Sequence, residues 1–179
     1  MFVLENGAKK KGEDPRLQAI SQAIRVVPHF PKQGIMFQDI TTLLLDHSAF
    51  KDVVDIFVDR YRDMDISVVA GEVISEKYVL EYGTDCLEMH VGAVQHNERV
   101  IIIDDLVATG GTLSAAIILL ERADAEVVEC ACVIGLSDLK SKFFTKNNKT
   151  DKAFFQVRSK LNGKPLYILV EPRQVENGF

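Results

Sequence analysis

Two adjacent carboxylates, Asp104 and Asp105, stand where an apolar run meets a small turn. The stretch reads Val100-Ile101-Ile102-Ile103-Asp104-Asp105-Leu106-Val107-Ala108-Thr109-Gly110-Gly111-Thr112. Four β-branched residues in a row are the pattern of a central parallel strand, buried on both faces. The turn from Ala108 to Thr112 is small, glycine-bearing and hydroxyl-bearing, and it leads into a helical pattern. Strand, acidic pair, turn and helix start form a site for a phosphorylated sugar. Backbone N–H groups of the turn and helix N-terminus face an anion. The carboxylates accept hydrogen bonds from sugar hydroxyls or hold a hard cation. No lysine follows the glycines, so this is not the G-x-x-x-x-G-K-S/T phosphate loop, and G-x-G-x-x-G is absent too. The plain alternative is an ordinary turn capped by Thr112, which has no use for two acids at a strand end.

Elements that could position such a site follow from the pattern of the chain. Asp14-Pro15 starts a helix, with an N-cap side chain and proline at N1. Its stripe of Leu17, Ile20, Ala23 and Ile24 runs on to Pro28. Phe30 to Ile40 is punctuated by proline and glycine yet too apolar for a solvent loop. It is either a packed connector or a lid whose backbone edge and aromatic ring meet a planar ligand. Ser48 can cap a second helix, with Phe50, Val53, Val54, Phe57, Val58 and Tyr61 on one buried face. Ile66 to Gly71 is a short buried strand. Val73 to Tyr82 and Leu87 to Val94 alternate like the two strands of an antiparallel hairpin around Tyr82-Gly83-Thr84-Asp85. After the site, Leu113, Ala116, Ile117 and Leu120 make a helix face that ends near Asp124, a residue tolerant of a left-handed conformation. Val127 to Ile134 and Pro165 to Val170 are two further buried strands. Lys140 to Lys160 is lysine-heavy and lacks a clean period.

The 179 residues, 47% apolar and 26% charged, make one soluble globular domain, 1–179, with residues 1–13 as a flexible tail. A net charge of −5 and a pI near 5.4 argue against a nucleic-acid or membrane binder. Three cysteines give no disulfide framework. Cys130 and Cys132 fall on one face of a strand and read as small core residues in a reducing compartment. No apolar stretch reaches spanning length and no signal-peptide core opens the chain, so a cytoplasmic location is expected.

The stretch 100–112 resembles the phosphoribosyl-pyrophosphate signature of the type I phosphoribosyltransferases. The loop Phe30 to Ile40 and the tripeptide Glu81-Tyr82-Gly83 narrow the resemblance to the adenine phosphoribosyltransferases of plant type. It implies an α/β fold: an open, mostly parallel sheet flanked by helices, with an antiparallel flap hairpin. It also implies a reaction in which adenine and phosphoribosyl pyrophosphate give AMP and pyrophosphate, with Mg²⁺, in a homodimer. Carried over residue by residue, Ala108, Thr109, Gly110, Gly111 and Thr112 hold the 5′-phosphate, while Asp104 and Asp105 face the ribose hydroxyls. Met36 and Gln38 offer backbone groups to the adenine edge, and Phe37 and Leu106 bound the ring. Glu81 is the acidic group near the base in the closing flap, Tyr82 covers the site, and Asp105 joins them as the catalytic set. No residue is assigned directly to the metal.

The chain departs from the family pattern twice. Gly71 is followed at once by Glu72-Val73-Ile74-Ser75, where the family continues for about thirty residues, the size of one crossover unit. That block supplies the family's pyrophosphate-loop arginine, basic flap residues, an edge strand and a covering helix. Its absence implies impaired transfer and an apolar surface over Val68 and Val69 with an unpaired strand edge. Residues 141–159, by contrast, look like an inserted loop. A clean deletion with an insertion of different texture is what altered exon choice would produce. The alternative to an impaired enzyme is a catalytically silent relative that binds AMP or adenine, or a regulatory partner of intact subunits.

Overall fold

Asp14 and Pro15 begin the described chain as their types dictate. The structure, a computed structural model, describes residues 14–71, 77–80, 83–86, 89–90, 92–135 and 157–173. The tail 1–13, Glu81, Tyr82 and residues 141–156 of the expected insertion lie outside them. The chain divides into two compact units, one ending at Val54 and one running from Asp55 to Arg173.

In the first unit, Asp14 caps α1 (Pro15–Ala23), its Oδ1 accepting the Arg16 backbone N–H at 3.0 Å. Side-chain hydrogen bonds from Arg16 hold this carboxyl below the usual carboxylate range. The helix expected to reach Pro28 stops at Ala23. Arg25–Pro28 is instead a strand, β1, paired antiparallel with β2 (Met36–Asp39) in the register Val26↔Gln38 and Val27↔Phe37. Two consecutive valines prefer a pleated pair to a helix end. After α2 (Thr41–Leu45) comes α3 (His47–Tyr61), which begins in this unit and ends in the second. The cap expected from Ser48 is supplied by Asp46, whose Oδ1 accepts the N–H groups of Ser48 and Ala49 at 3.1 and 3.0 Å. The buried face of α3 is narrower than expected: Val53, Ile56, Phe57 and Tyr61 are buried, whereas Phe50, Val54 and Val58 lie on the next stripe round and stay exposed.

The second unit is built on four parallel strands in the order β3-β6-β7-β8. They are β3 (Val68–Ala70), then, after the pair β4 (Lys77–Leu80) and β5 (Gly83–Cys86), β6 (Arg99–Val107), β7 (Glu126–Gly135) and β8 (Leu166–Val170). Helix α4 (Gly111–Arg122) crosses from β6 to β7 and buries Leu113, Ala116, Ile117 and Leu120 in one cluster with Val100, Ile102, Cys130 and Cys132. It ends at Ala123, and Asp124 takes the left-handed conformation at φ 58°. Burial pushes the Cys130 thiol up to about 12, so it packs as a neutral core group. The antiparallel hairpin is present in a different register. Lys77–Leu80 pairs with Gly83–Cys86, bringing Leu80 opposite Gly83, and residues 89–90 and 92–94 are not strand. Two residues separate the paired strands where four were expected. At the sheet edge, β3 pairs only with β6 among the described strands, and Val69 is 61% exposed.

Glu129 interrupts the apolar β7 and is 5% exposed. Arg60 of α3 donates its Nε and Nη2 to the two carboxylate oxygens at 2.7 Å each, and its guanidinium carbon lies 3.9 Å from the Tyr167 ring centroid. Burial, with the Glu129 charge beside it, pushes the Tyr61 phenol up, so it stays protonated. This bidentate, stacked pair fixes the second unit's end of α3 on the sheet face, a geometry that lysine cannot reproduce. Arg60→Ala leaves a buried carboxylate unpaired and is expected to cost about 2–4 kcal/mol, somewhat under the fully buried range because Arg60 is partly exposed. Urea unfolding measures it, and a loss under about 0.5 kcal/mol would make the pair an ordinary surface bridge.

Candidate active site

Strand β6 delivers the acidic pair and the turn to the C-terminal edge of the parallel sheet, where α/β folds place their ligands. Successive strand residues face opposite sides, and the two acids follow that rule. Asp104 is 7% exposed and accepts the Asp105 backbone N–H on its Oδ1 at 3.0 Å, whereas Asp105 is exposed. The two carboxylates are therefore inequivalent: one is built into the strand end and the other is open to a ligand. Leu106, half-buried, pairs with Ile134 in β7. Among the described strands, β3 covers β6 only as far as Ile102, so 103–107 have strand pairing on the β7 side alone.

The turn resolves the choice between a side-chain cap and an open helix end. The N-cap of α4 is Gly110, in the left-handed conformation at φ 74°, and no side chain caps the helix. Thr112 is the second residue of α4, so it is not the cap. The first intrahelical bond runs from the Ser114 N–H to the Gly110 carbonyl at 3.0 Å. Gly111, Thr112 and Leu113 thus open the helix with N–H groups that no preceding turn can receive. Those groups, with the positive end of the helix dipole, are of the kind that can receive an anion. Gly110 is buried, and a Cβ there would stand 3.1 Å from Cγ1 of Val157. Val157, at the start of a helical turn over 157–160, carries no chemical group and sits in a stretch without periodicity, so only the fold reveals it beside the turn.

Met36, Phe37 and Gln38 lie on β2 in the first unit. Among the described strands β2 pairs only with β1. Phe37 is partly exposed and meets Phe30 edge-on at 5.1 Å between centroids, while the buried Gln38 donates its Nε2 to the Met36 carbonyl at 3.2 Å. Asp39, which sequence reasoning missed, secures the end of β2. Its carboxylate accepts from Thr41 N and Oγ1 and from the Arg25 guanidinium on β1. Glu81 and Tyr82 lie outside the described residues; the backbone pairing of β4 with β5 flanks them in sequence.

Residues 31–163 match the model of the phosphoribosyl transferase domain. The chain is 58% identical to adenine phosphoribosyltransferase 5 of Arabidopsis thaliana over an alignment that covers 96% of each chain. It belongs to the adenine phosphoribosyltransferases. Solved adenine phosphoribosyltransferases share the architecture. The one from Rhodothermus marinus gives a TM-score of 0.67 at 31% identity, covering 88% of this chain and 98% of that one. The Saccharomyces cerevisiae adenine phosphoribosyltransferase, complexed with an imino-altritol bisphosphate and adenine, gives 0.69 at 25% identity over 87% and 99%. The parallel sheet flanked by helices, with a separate antiparallel pair, is the fold of an adenine phosphoribosyltransferase, as the opening motif implied.

The hydrogen bonds on Asp39, first from the Thr41 side chain and then from Arg25, hold its carboxyl below the usual carboxylate range. A depressed folded value means that its stabilisation is full above the unfolded value of about 3.9 and is lost as pH falls through the lowered folded value. Asp39→Asn is therefore expected to be less stable than the parent at pH 7, with the gap closing below about pH 4. Thermal melts across that range check it, and a gap that does not change with pH would sink the assignment.

Proposed function

We propose that this adenine phosphoribosyltransferase seats the 5′-phosphate of phosphoribosyl pyrophosphate and AMP on Ala108, Thr109, Gly110, Gly111 and Thr112, and that it makes AMP and pyrophosphate at a reduced rate. One observation carries the phosphate assignment: α4 begins on a left-handed glycine with no side-chain cap, one turn after two carboxylates. Asp105, exposed, meets the ribose hydroxyls, and Asp104 orients the backbone N–H of Asp105 from behind. Strand β2 offers Met36 and Gln38 to the adenine edge, with Phe37 beside the ring. N9 of adenine displaces pyrophosphate at C1 of the ribose through a transition state with oxocarbenium character. The protein's share of that step is to hold the sugar, exclude water and carry the flap residues Glu81 and Tyr82 to the base.

Mg²⁺ suits this site as an ion carried in by the substrate. Among the described residues no three His, Cys, Asp or Glu side chains gather to cage a metal, and Mg²⁺ typically takes one or two carboxylates with substrate phosphates and water. Asp105, exposed, is the carboxylate that would meet the ion, which would supply neutralising charge for the leaving pyrophosphate. The reduced rate follows from the segment after Gly71. The alignment with the Arabidopsis relative spans 203 positions, more than the 179 residues of this chain, which supports a stretch of the relative without a counterpart here. Loss of a cationic clamp on the leaving group costs about 3–5 kcal/mol of transition-state stabilisation, or about two to four powers of ten in rate. A homodimer and a cytoplasmic location complete the proposal. No helix among the described residues is long and apolar enough to cross a membrane.

Calorimetry is expected to show saturable AMP binding, with AMP formation from adenine and Mg-phosphoribosyl pyrophosphate orders of magnitude below that of an intact family member. Turnover near the intact rate would overturn the impairment, and AMP binding with no turnover at all would assign a silent AMP-binding relative. Asp105→Asn and Gly110→Asp are each expected to abolish AMP binding, and unchanged affinity in both would overturn the site.

A further inference from the structure

We propose that Val157 is a positioning residue for the 5′-phosphate: its side chain is the wall that holds Gly110, and through it the first N–H groups of α4, in place. The proposal rests on the phosphate seat argued above and adds a residue from the stretch 141–159, whose sequence reads as an inserted loop.

All three nearest neighbours of the missing Gly110 side chain belong to Val157, with Cγ1, Cα and Cβ at 3.1, 3.6 and 3.7 Å from where a Cβ would stand. The contact is therefore face to face, between a backbone stripped of its side chain and one β-branched residue. Val157 is itself held. It is 3% exposed, its carbonyl accepts the Leu161 N–H at 3.1 Å, and both residues belong to the cluster that contains Leu113 and Ile117 of α4. A valine in a helical turn has one strongly preferred rotamer, which makes it a stiff surface.

Gly110 needs such a surface because glycine has the widest conformational freedom of any residue, and nothing in its own side chain holds φ at 74°. Its carbonyl receives the first helical hydrogen bond, so a change in its φ or ψ swings the N–H groups of Gly111 and Thr112 together. Hydrogen bonds to a phosphate weaken steeply with angle, so a small swing costs anion affinity without unfolding the helix. Truncating Val157 to alanine opens space on the side where a Gly110 side chain would stand.

Full-length protein and the variants Val157→Ala, Val157→Thr and Leu161→Ala are compared by calorimetry with ribose 5-phosphate and with adenine, and by thermal melting. Val157→Ala is expected to weaken ribose 5-phosphate binding about tenfold or more while adenine binding holds. Val157→Thr keeps the shape of the wall and is expected to restore ribose 5-phosphate affinity even where its melting temperature stays low. Leu161→Ala, buried in the same cluster but not among the neighbours of Gly110, is expected to lower the melting temperature and leave that affinity alone. Affinity that falls in step with melting temperature across all three variants makes Val157 an ordinary core residue and overturns the proposal, as does wild-type affinity in Val157→Ala. If the parent protein binds adenine but no ribose 5-phosphate, the phosphate seat itself fails, and that result is separable from the failure of the wall alone.

Discussion

A helix that starts without a side-chain cap has backbone donors to satisfy, and that debt organises this molecule. Placing the start of α4 at the end of β6 requires a turn with positive φ, which falls to Gly110. The strand before it must be fixed so that the turn always arrives at one place. That role belongs to the buried run Val100 to Ile102, paired by β3 on one side and β7 on the other. The helix after it must be fixed as well, and Leu113, Ile117 and Leu120 do so by burial against the same sheet. An anion bound there meets groups that have already lost their freedom in folding, so little further ordering is needed on binding.

The polar groups inside the second unit serve the same rigidity. A glutamate inside a parallel strand is costly unless both oxygens are engaged, and Arg60 engages both while stacking on Tyr167. Arg99 makes a more exposed tie at the strand starts, bonding Glu126 at 2.6 Å and the Met64 carbonyl at 3.3 Å. One pair registers a helix on the sheet face and the other registers two neighbouring strand starts. At the C-terminal edge, the carboxylate of Asp104 turns back on its own strand to accept the Asp105 backbone N–H.

Much of this was legible from residue types alone. Four β-branched residues, two acids and a glycine turn have few structural uses, so β6, the turn and α4 could be read in order. Asp14 as a cap and Asp124 as a left-handed residue were legible for the same reason: each is a single residue with a strong local preference. What resisted was competition between equally good local signals. Asp46 and Ser48 are both good caps, and only the geometry of the backbone chooses the aspartate. The apolar stripe of α1 continues smoothly into Val26 and Val27, so nothing local marks the switch from helix to strand that pairing with β2 imposes. Nor did Glu129 or Val157 declare themselves. An acid in an apolar run and a valine in an aperiodic one acquire meaning only from partners distant in sequence, Arg60 and Gly110.

The three-residue strand β3, at the edge of the sheet among the described strands, has a consequence for handling the protein in solution. Val69 presents a bare aliphatic side chain beside a row of backbone groups, the combination that recruits a foreign strand. Three residues can template very few hydrogen bonds, too few for ordered fibrils but enough for weak, reversible self-adhesion. Solubility at high concentration, more than folding, is then the property most exposed to a change at this position. A lysine on that outward face would act as a gatekeeper while leaving the register of β6 untouched.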